Sequence, residues 1–374
     1  MDIATDLQQR LARVRQGMAE CGLGGLIVYY GAQHNMLRMD QVAYLTDVKT
    51  IGPAILLVPR EGEPQLVVTP AWDAARAREI MPFGSVTGVE PAALARTAAS
   101  LAAKLDKPLG IVGREVMPLG FAREFAAQFN VELIDAGDLV KKIGATRTET
   151  ELERIVKAAG IADEGFRVLC EVAHVGMREY ELAAEVEAAM QRLGSEDNFG
   201  LIAAGSHNLA IRAPTDRRLE PGDVIVGEIT PGYRGFHAQL CRTFILGKPS
   251  DLQRQKYDML LKALDAGFGA AKPGRPSNEI AAAVNKVISD AGYGEYCRQP
   301  YMRTRGHGLG LGGVVPYDVT EDGGPKLERN MTMVIHPNQY IPETGYMMLG
   351  DTVVIEESGP RPLTKTSREL HWRA

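Results

Sequence analysis

From Asp6 to Met18 the apolar residues Leu7, Leu11, Val14 and Met18 recur at intervals of three and four, and the pattern stops before Gly22. That spacing gathers them on one face of a helix, while the unbroken apolar run that follows, GGLIVYYG, predicts a strand buried on both sides. PAILLVP and PQLVVTP, separated by REGE, predict a strand pair, and Ala-rich helical segments at 72–80 and 91–105 lead into the strands PLGIVG and VELIDA. The alternation predicts an α/β domain over residues 1–145.

A break falls in KKIGATRTETELE, where Thr148 and Glu151 have the spacing of a capping box and open a helix with Leu152, Ile155, Ala159 and Ile161 on its apolar face. A helix at 178–193 ends at Gly194, a strand-rich block covers 198–247, helices follow at 251–271 and 277–291, and strands return from 300 to 356. Helix pair, strands, helix pair, strands is the signature of a duplicated ααββ-type unit over residues 146–374. It predicts two antiparallel sheets flanked by helices, with a cleft where polar groups of both halves converge. One stretch stands out: TMVIHPNQYIPETGYMMLGDTVVI reads as two strands around a turn, yet holds His336, Asn338, Gln339 and Tyr340 within five residues.

At 374 residues the chain exceeds the ~250 to 300 that one core usually serves, which supports two domains. Its net charge is −5 and its Lys and Arg are dispersed among acidic residues, which argues against nucleic acid as a partner. Neither an apolar leader nor an apolar run of about 18 residues occurs, so no membrane association and a cytoplasmic location are expected. Cys21, Cys170, Cys241 and Cys297 lie far apart with no CxxC pair, so reduced thiols are expected, Cys21 and Cys170 as small buried hydrophobes.

APTDRRLEPGDVIVGEITPGYRGFHAQLCRTF, RGHGLGLGG and HPNQYIPETGYMMLGDTVVI occur in the order and rough spacing of the creatinase/prolidase/methionine aminopeptidase superfamily. With YLTD at 44–47 they make nearly the whole chain resemble that family. The resemblance implies a creatinase/prolidase-type α/β domain followed by a catalytic pita-bread domain of α+β type. It also implies a homodimer in which the N-terminal domain covers the partner's active site, with Tyr30, His34, Arg38 and Lys49 available for that role.

Members resembling aminopeptidases and prolidases hold two metal ions with five side chains. Carried over, those positions are Glu228, Gln239, His307, His336 and Gly350, and only His307 is retained. Gln239 is neutral and Gly350 has no side chain, so both bridging groups are missing, while Asp351 next door should point to the opposite strand face. What survives, Glu228, His307 and His336, is a two-histidine, one-carboxylate set of the kind that takes a single Fe, Mn or Zn ion. Creatinase, a member without metal, offers another precedent, although its base histidine falls here at Ile211 and its substrate-gripping glutamates at Cys241 and His336.

The leading expectation is a metal-independent, creatinase-like hydrolase with no cofactor. It would cleave an amide, amidine or ureide C–N bond of a small polar molecule by acid–base chemistry at His336, His307 and Glu228. An imidazole titrates at about pH 6.5 and can serve as acid or base near neutrality. His237, Gln239 and Cys241 share a strand face, and a histidine beside Cys241 would make the thiol a nucleophile. Arg303 and Arg305, if they alternate with His307 along a strand, would point one way and grip a carboxylate. Gln239, Tyr340, Arg212 and His207 complete the expected substrate contacts. The alternatives are a mononuclear metal-dependent or Xaa-Pro peptidase-like hydrolase using Glu228, His307 and His336, and a non-catalytic binding module.

Overall fold

A computed structural model describes residues 2–33, 39–129, 132–311 and 317–374. The chain divides after Gly144 into two compact units. The first contains α1 (Ile3–Glu20), β1 (Gly25–Tyr30), α2 (Gln41–Thr46), β2 (Ala54–Pro59), β3 (Gln65–Val68), α3 (Ala74–Ile80), β4 (Ser85–Gly88), α4 (Leu94–Ala102), β5 (Leu109–Val112), α5 (Leu119–Ala126), β6 (Leu133–Asp135) and α6 (Gly137–Ile143). Its sheet runs β4-β3-β2-β1-β5-β6, and β1 lies at its centre with every residue buried. That position explains why GLIVYY is apolar without alternation. Of the positions expected to cover a partner's site, His34 and Arg38 lie outside the described residues, and Tyr30 is buried at the end of β1.

The second unit begins with α7 (Glu149–Val172), opened by the expected capping box of Thr148 and Glu151, and α8 (Glu179–Arg192). Strands β7 (Glu196–Gly205), β8 (Val224–Tyr233), β9 (Phe236–His237) and β10 (Leu240–Leu246) follow, then α9 (Asp251–Ala270) and α10 (Asn278–Ile288). The chain ends in β11 (Gly306–Gly308), β12 (Thr332–Ile335), β13 (Gln339–Ile341), β14 (Gly345–Met347), β15 (Gly350–Glu356), β16 (Gly359–Pro362) and β17 (His371–Arg373). Among the described residues no helix is long and apolar enough to cross a membrane.

Each helix pair covers its own strands. Phe166, Leu169 and Leu182 pack on Ile225, Ile229 and Phe244 in one half, and Leu260, Leu264 and Val284 pack on Met333, Ile335 and Val353 in the other. The halves join edge to edge where β10 pairs with β15 through only Leu240↔Asp351 and Cys241↔Gly350. The two half-sheets thus form a single hydrogen-bonded path, β11-β12-β15-β10-β8-β7. The pairs are antiparallel except that β17 runs parallel to β10.

Strand alternation decides which side chains leave the helices. Ile225 and Ile229 of β8 face α7 and α8, so Glu228 shares the opposite face with Val224 and Val226, which pack with Ala203 and Cys241. The 332–355 stretch is richer than a plain hairpin. Its sheet strand ends at Ile335, the chain turns out through His336-Pro337-Asn338, and β13 and β14 form a separate two-stranded ribbon before β15 returns. Pro337 has no N–H to continue a ladder, which is why a strand cannot run through it.

Candidate functional site

A cavity of about 230 Å³ opens on the sheet face away from the helices. Its wall gathers Glu228 from the middle of β8, His307 from β11, His336 and Asn338 from the turn just past β12, and Tyr346 from the ribbon. Leu201, Ile211 and Met302 give it an apolar side, and Arg303 and Thr304 complete it. His307 and His336 stand edge to face with ring centroids 5.7 Å apart. The glycines around His307 serve backbone approach: Gly306 has φ 153°, and a Cβ there would lie 2.2 Å from the Val334 carbonyl oxygen.

The electrostatics follow from enclosure. Glu228 opens on the cavity, but protein surrounds it closely enough that desolvation pushes its carboxyl up to about 7, against a smaller downward pull from the Arg303 charge. No described residue hydrogen-bonds its carboxylate. Desolvation holds His336 well below the usual imidazole range, and the neighbouring His307 and Arg303 charges push the same way. Its Nδ1 is buried without a hydrogen-bond partner among the described residues. The Nδ1 of His307 lies 3.0 Å from the Gly308 carbonyl oxygen, to which it donates as Nδ1–H, so that in the neutral ring the lone pair is on Nε2.

Other expected residues lie elsewhere. Arg303, Arg305 and His307 do not alternate along one strand, because β11 starts only at Gly306. Arg305 is fully buried and directed away from the cavity, donating to Asn285 Oδ1 (2.6 Å), the Asn338 carbonyl (2.8 Å) and Gln339 Oε1 (2.7 Å). It holds the ribbon in place. Arg212 forms a two-pronged pair with buried Glu179 (2.5 and 2.7 Å). His207 contacts the Pro342 carbonyl at 2.8 Å and meets the ring of Tyr340, which stacks on Tyr301 with centroids 5.4 Å apart.

His237 is buried on β9 over Gly232, and Gln239 is fully enclosed beneath the cavity with Nε2 3.4 Å from Cys241 Sγ. Cys241 is itself fully buried, and desolvation together with the Glu228 charge raises its thiol far above the usual range, which favours the thiol over the nucleophilic thiolate. Cys21 is exposed and Cys170 half-buried, in place of the buried positions expected. Met302, Thr304 and Tyr346 were not singled out from the sequence. Tyr346 had a usable signal, since it pairs across the ribbon with Tyr340, but only once the turn at Pro342 to Thr344 is fixed.

Residues 153–357 match the metallopeptidase family M24, and residues 10–143 match the creatinase/prolidase N-terminal domain. The chain belongs to the metallopeptidase family M24. It is 34% identical over 276 residues to the Xaa-Pro dipeptidase of Pyrococcus furiosus, covering 71% of this chain and 76% of that one. Its fold matches the prolidase of Pyrococcus horikoshii OT3 with a TM-score of 0.85 at 26% identity, over 97% of this chain and 99% of that one. The prolidase structure from Pyrococcus furiosus gives 0.82 at 27%, over 94% and 99%.

These findings correct two expectations. The metal-independent, creatinase-like hydrolase gives way to a peptidase reading, because the M24 relatives are Xaa-Pro dipeptidases. The absence of a cofactor gives way as well, because M24 is a family of metallopeptidases.

The residues present do not accommodate a pair of ions. At the expected bridging positions, Gln239 is a neutral amide already turned to Cys241, and a Cβ on Gly350 would lie 2.5 Å from that of His336. The donor chemistry suits one ion. Glu228, His307 and His336 line the same cavity, and the Nδ1 of His336, which has no partner among the described residues, belongs to a ring that burial keeps neutral, the form that ligates. Among the described residues no three His, Cys, Asp or Glu already stand at ion-binding distance, so closing a shell takes side-chain rotation.

Proposed function

We propose that this protein is a metal-dependent hydrolase of small peptides, related in activity to Xaa-Pro dipeptidases, in which Glu228, His307 and His336 hold one divalent ion. The observation that carries the reading is the convergence of those three side chains on one cavity, within a chain of the M24 family. A divalent ion bound there would polarise a peptide carbonyl and acidify a water molecule. The chain supplies the rest. Burial keeps the His336 ring neutral, the Gly308 carbonyl fixes the tautomer of His307, and Leu201, Ile211 and Met302 keep bulk water from one wall.

Asn338 is locked in place because its Oδ1 accepts from the Leu349 N–H at 3.0 Å. The test is metal titration of the chelator-treated protein with Mn²⁺, Co²⁺ and Zn²⁺, read by elemental analysis and by hydrolysis of Ala-Pro. One equivalent per chain is expected, with hydrolysis lost in chelator and restored by the ion. Glu228→Ala and His307→Ala each remove a direct ligand and should weaken ion binding by more than the roughly 10- to 100-fold that loss of an outer-shell partner costs. Two tightly bound equivalents, or hydrolysis indifferent to chelator, would overturn the proposal.

A further inference from the structure

Tyr346 reaches the cavity wall from β14 of the ribbon. Its main chain is tied to the strand that carries Glu228, because the Tyr346 N–H donates to the Asn208 carbonyl at 2.7 Å and the Asn208 side-chain amide donates to the Val224 carbonyl of β8 at 2.7 Å. The ring packs against the apolar group that includes Val224, Val226 and Cys241. The hydroxyl is a different matter: it has no hydrogen-bond partner among the described residues. Thr304 bears the other hydroxyl of that wall, and it is spent on the Gly306 and Val319 carbonyls. Burial first, and then the Glu228 charge, push the phenol well above its ordinary range, so it is held as an O–H donor.

We propose that Tyr346 donates a hydrogen bond to the carbonyl oxygen of the bond being cleaved and stabilises the negative charge that this oxygen gains; this rests on the peptidase reading above. Hydrolysis needs a water acidified and a carbonyl oxygen stabilised as the π pair moves onto it, and donors for one ion supply one Lewis acid to divide between the two tasks. A phenol fixed by the ribbon and β8 takes up the second task. Leu201, Ile211 and Met302 keep water from one side of the cavity, where a preorganised donor gains strength as charge develops. Tyr346 keeps its proton throughout, so its contribution is a hydrogen bond and not a proton transfer. An interaction that strengthens in the transition state acts on kcat and leaves KM nearly unchanged.

The test compares wild type with Tyr346→Phe, which keeps the ring and removes the donor, and with Tyr346→Met, which keeps apolar bulk without it. Elemental analysis should find the same single ion in all three proteins. The kcat for Ala-Pro should fall roughly 100-fold in both variants, the scale of losing one donor to an oxyanion, with KM little changed. In a binding arm, calorimetry of the ion-loaded proteins with the phosphinic isostere of Ala-Pro, a tetrahedral anion, should show a loss of affinity by a similar factor, while the product L-proline binds as before.

An undiminished kcat, an unchanged affinity for the phosphinic isostere, or no binding of that isostere to the wild type would overturn the donor. Loss of the ion in Tyr346→Phe would overturn it too, since the residue would then support the ligands. No hydrolysis of Ala-Pro by the wild type, with the isostere bound and weakened in Tyr346→Phe, would leave the donor standing and overturn the peptidase reading alone.

Discussion

Asp351 and Glu228 are two enclosed carboxylates in one sheet, on opposite faces of it, and their surroundings differ completely. Asp351, on the helix side, accepts from Arg242 (2.7 Å), Arg368 (2.6 Å) and Thr364 (2.9 Å). Glu228, on the cavity side, has no hydrogen-bond partner among the described residues and only the more distant charge of Arg303. Burying a charge is tolerable when it is paired, and an unpaired one is held near neutrality by desolvation. The first carboxylate is therefore part of the framework. The second waits for a proton, an ion or a substrate group, which is why functional chemistry concentrates at such sites.

The largest effect expected comes from breaking the paired side. Asp351→Ala leaves the fully buried Arg242 without its counter-charge, and removal of one member of a buried pair costs on the order of 3–5 kcal/mol. Urea unfolding at pH 7 measures it, and a loss below about 1 kcal/mol would mean that the pair behaves like a surface one.

The unpaired side should respond with the opposite sign. Because the Glu228 carboxyl sits at about 7 in the fold against 4.5 as its ordinary value, the folded state holds its proton longer than the unfolded chain does. Its contribution is intact below pH 4.5 and is lost as the pH rises toward 7. Glu228→Gln should therefore stabilise the chelator-treated protein by about 2–3 kcal/mol at pH 8, with little difference at pH 4. Saturating divalent ion should reverse the order at pH 8, since the ion stabilises only the carboxylate form. Equal differences at both pH values would show that Glu228 does not titrate as the enclosure requires.

Much of this was legible in the sequence because local rules and the fold agree. The capping box at Thr148, the helical spacing from Leu7 to Met18 and the unbroken run GLIVYY each predict the element that forms. Period-two alternation also placed Asp351 away from the cavity, and its bonds to Arg242 and Arg368 lie on the helix side. Alternation failed where the strand it assumed was too short. Arg305 and Arg303 part company because β11 spans three residues, and the run from 332 to 355 hides a second ribbon behind Pro337. Arg305 and Cys241 show a different limit: their chemistry depends on enclosure by Asn285 and Asn338, which lie 20 to 97 residues away in sequence from the groups they contact. No spacing rule reports that.

The smallest effect expected is at Cys241, which tests whether the cavity face is chemically uniform. Cys241 lies directly across from Glu228 in the β8–β10 ladder, so the two side chains share a face. Glu228 opens to the cavity, whereas Cys241 lies beneath it and takes contacts from Gln239 Nε2 (3.4 Å) and Asn338 Nδ2 (3.8 Å). Burial and the neighbouring carboxylate both favour the thiol over the thiolate. Cys241→Ala should then cost only about 1–2 kcal/mol of stability, from a small void and two weakened contacts. Peptide hydrolysis should persist, and iodoacetamide at pH 7.5 should leave Cys241 unlabelled while it modifies the exposed Cys21. Rapid labelling of Cys241 in the folded protein, or loss of hydrolysis in a well-folded Cys241→Ala, would move the reactive part of the site down to the layer that the geometry assigns to the core.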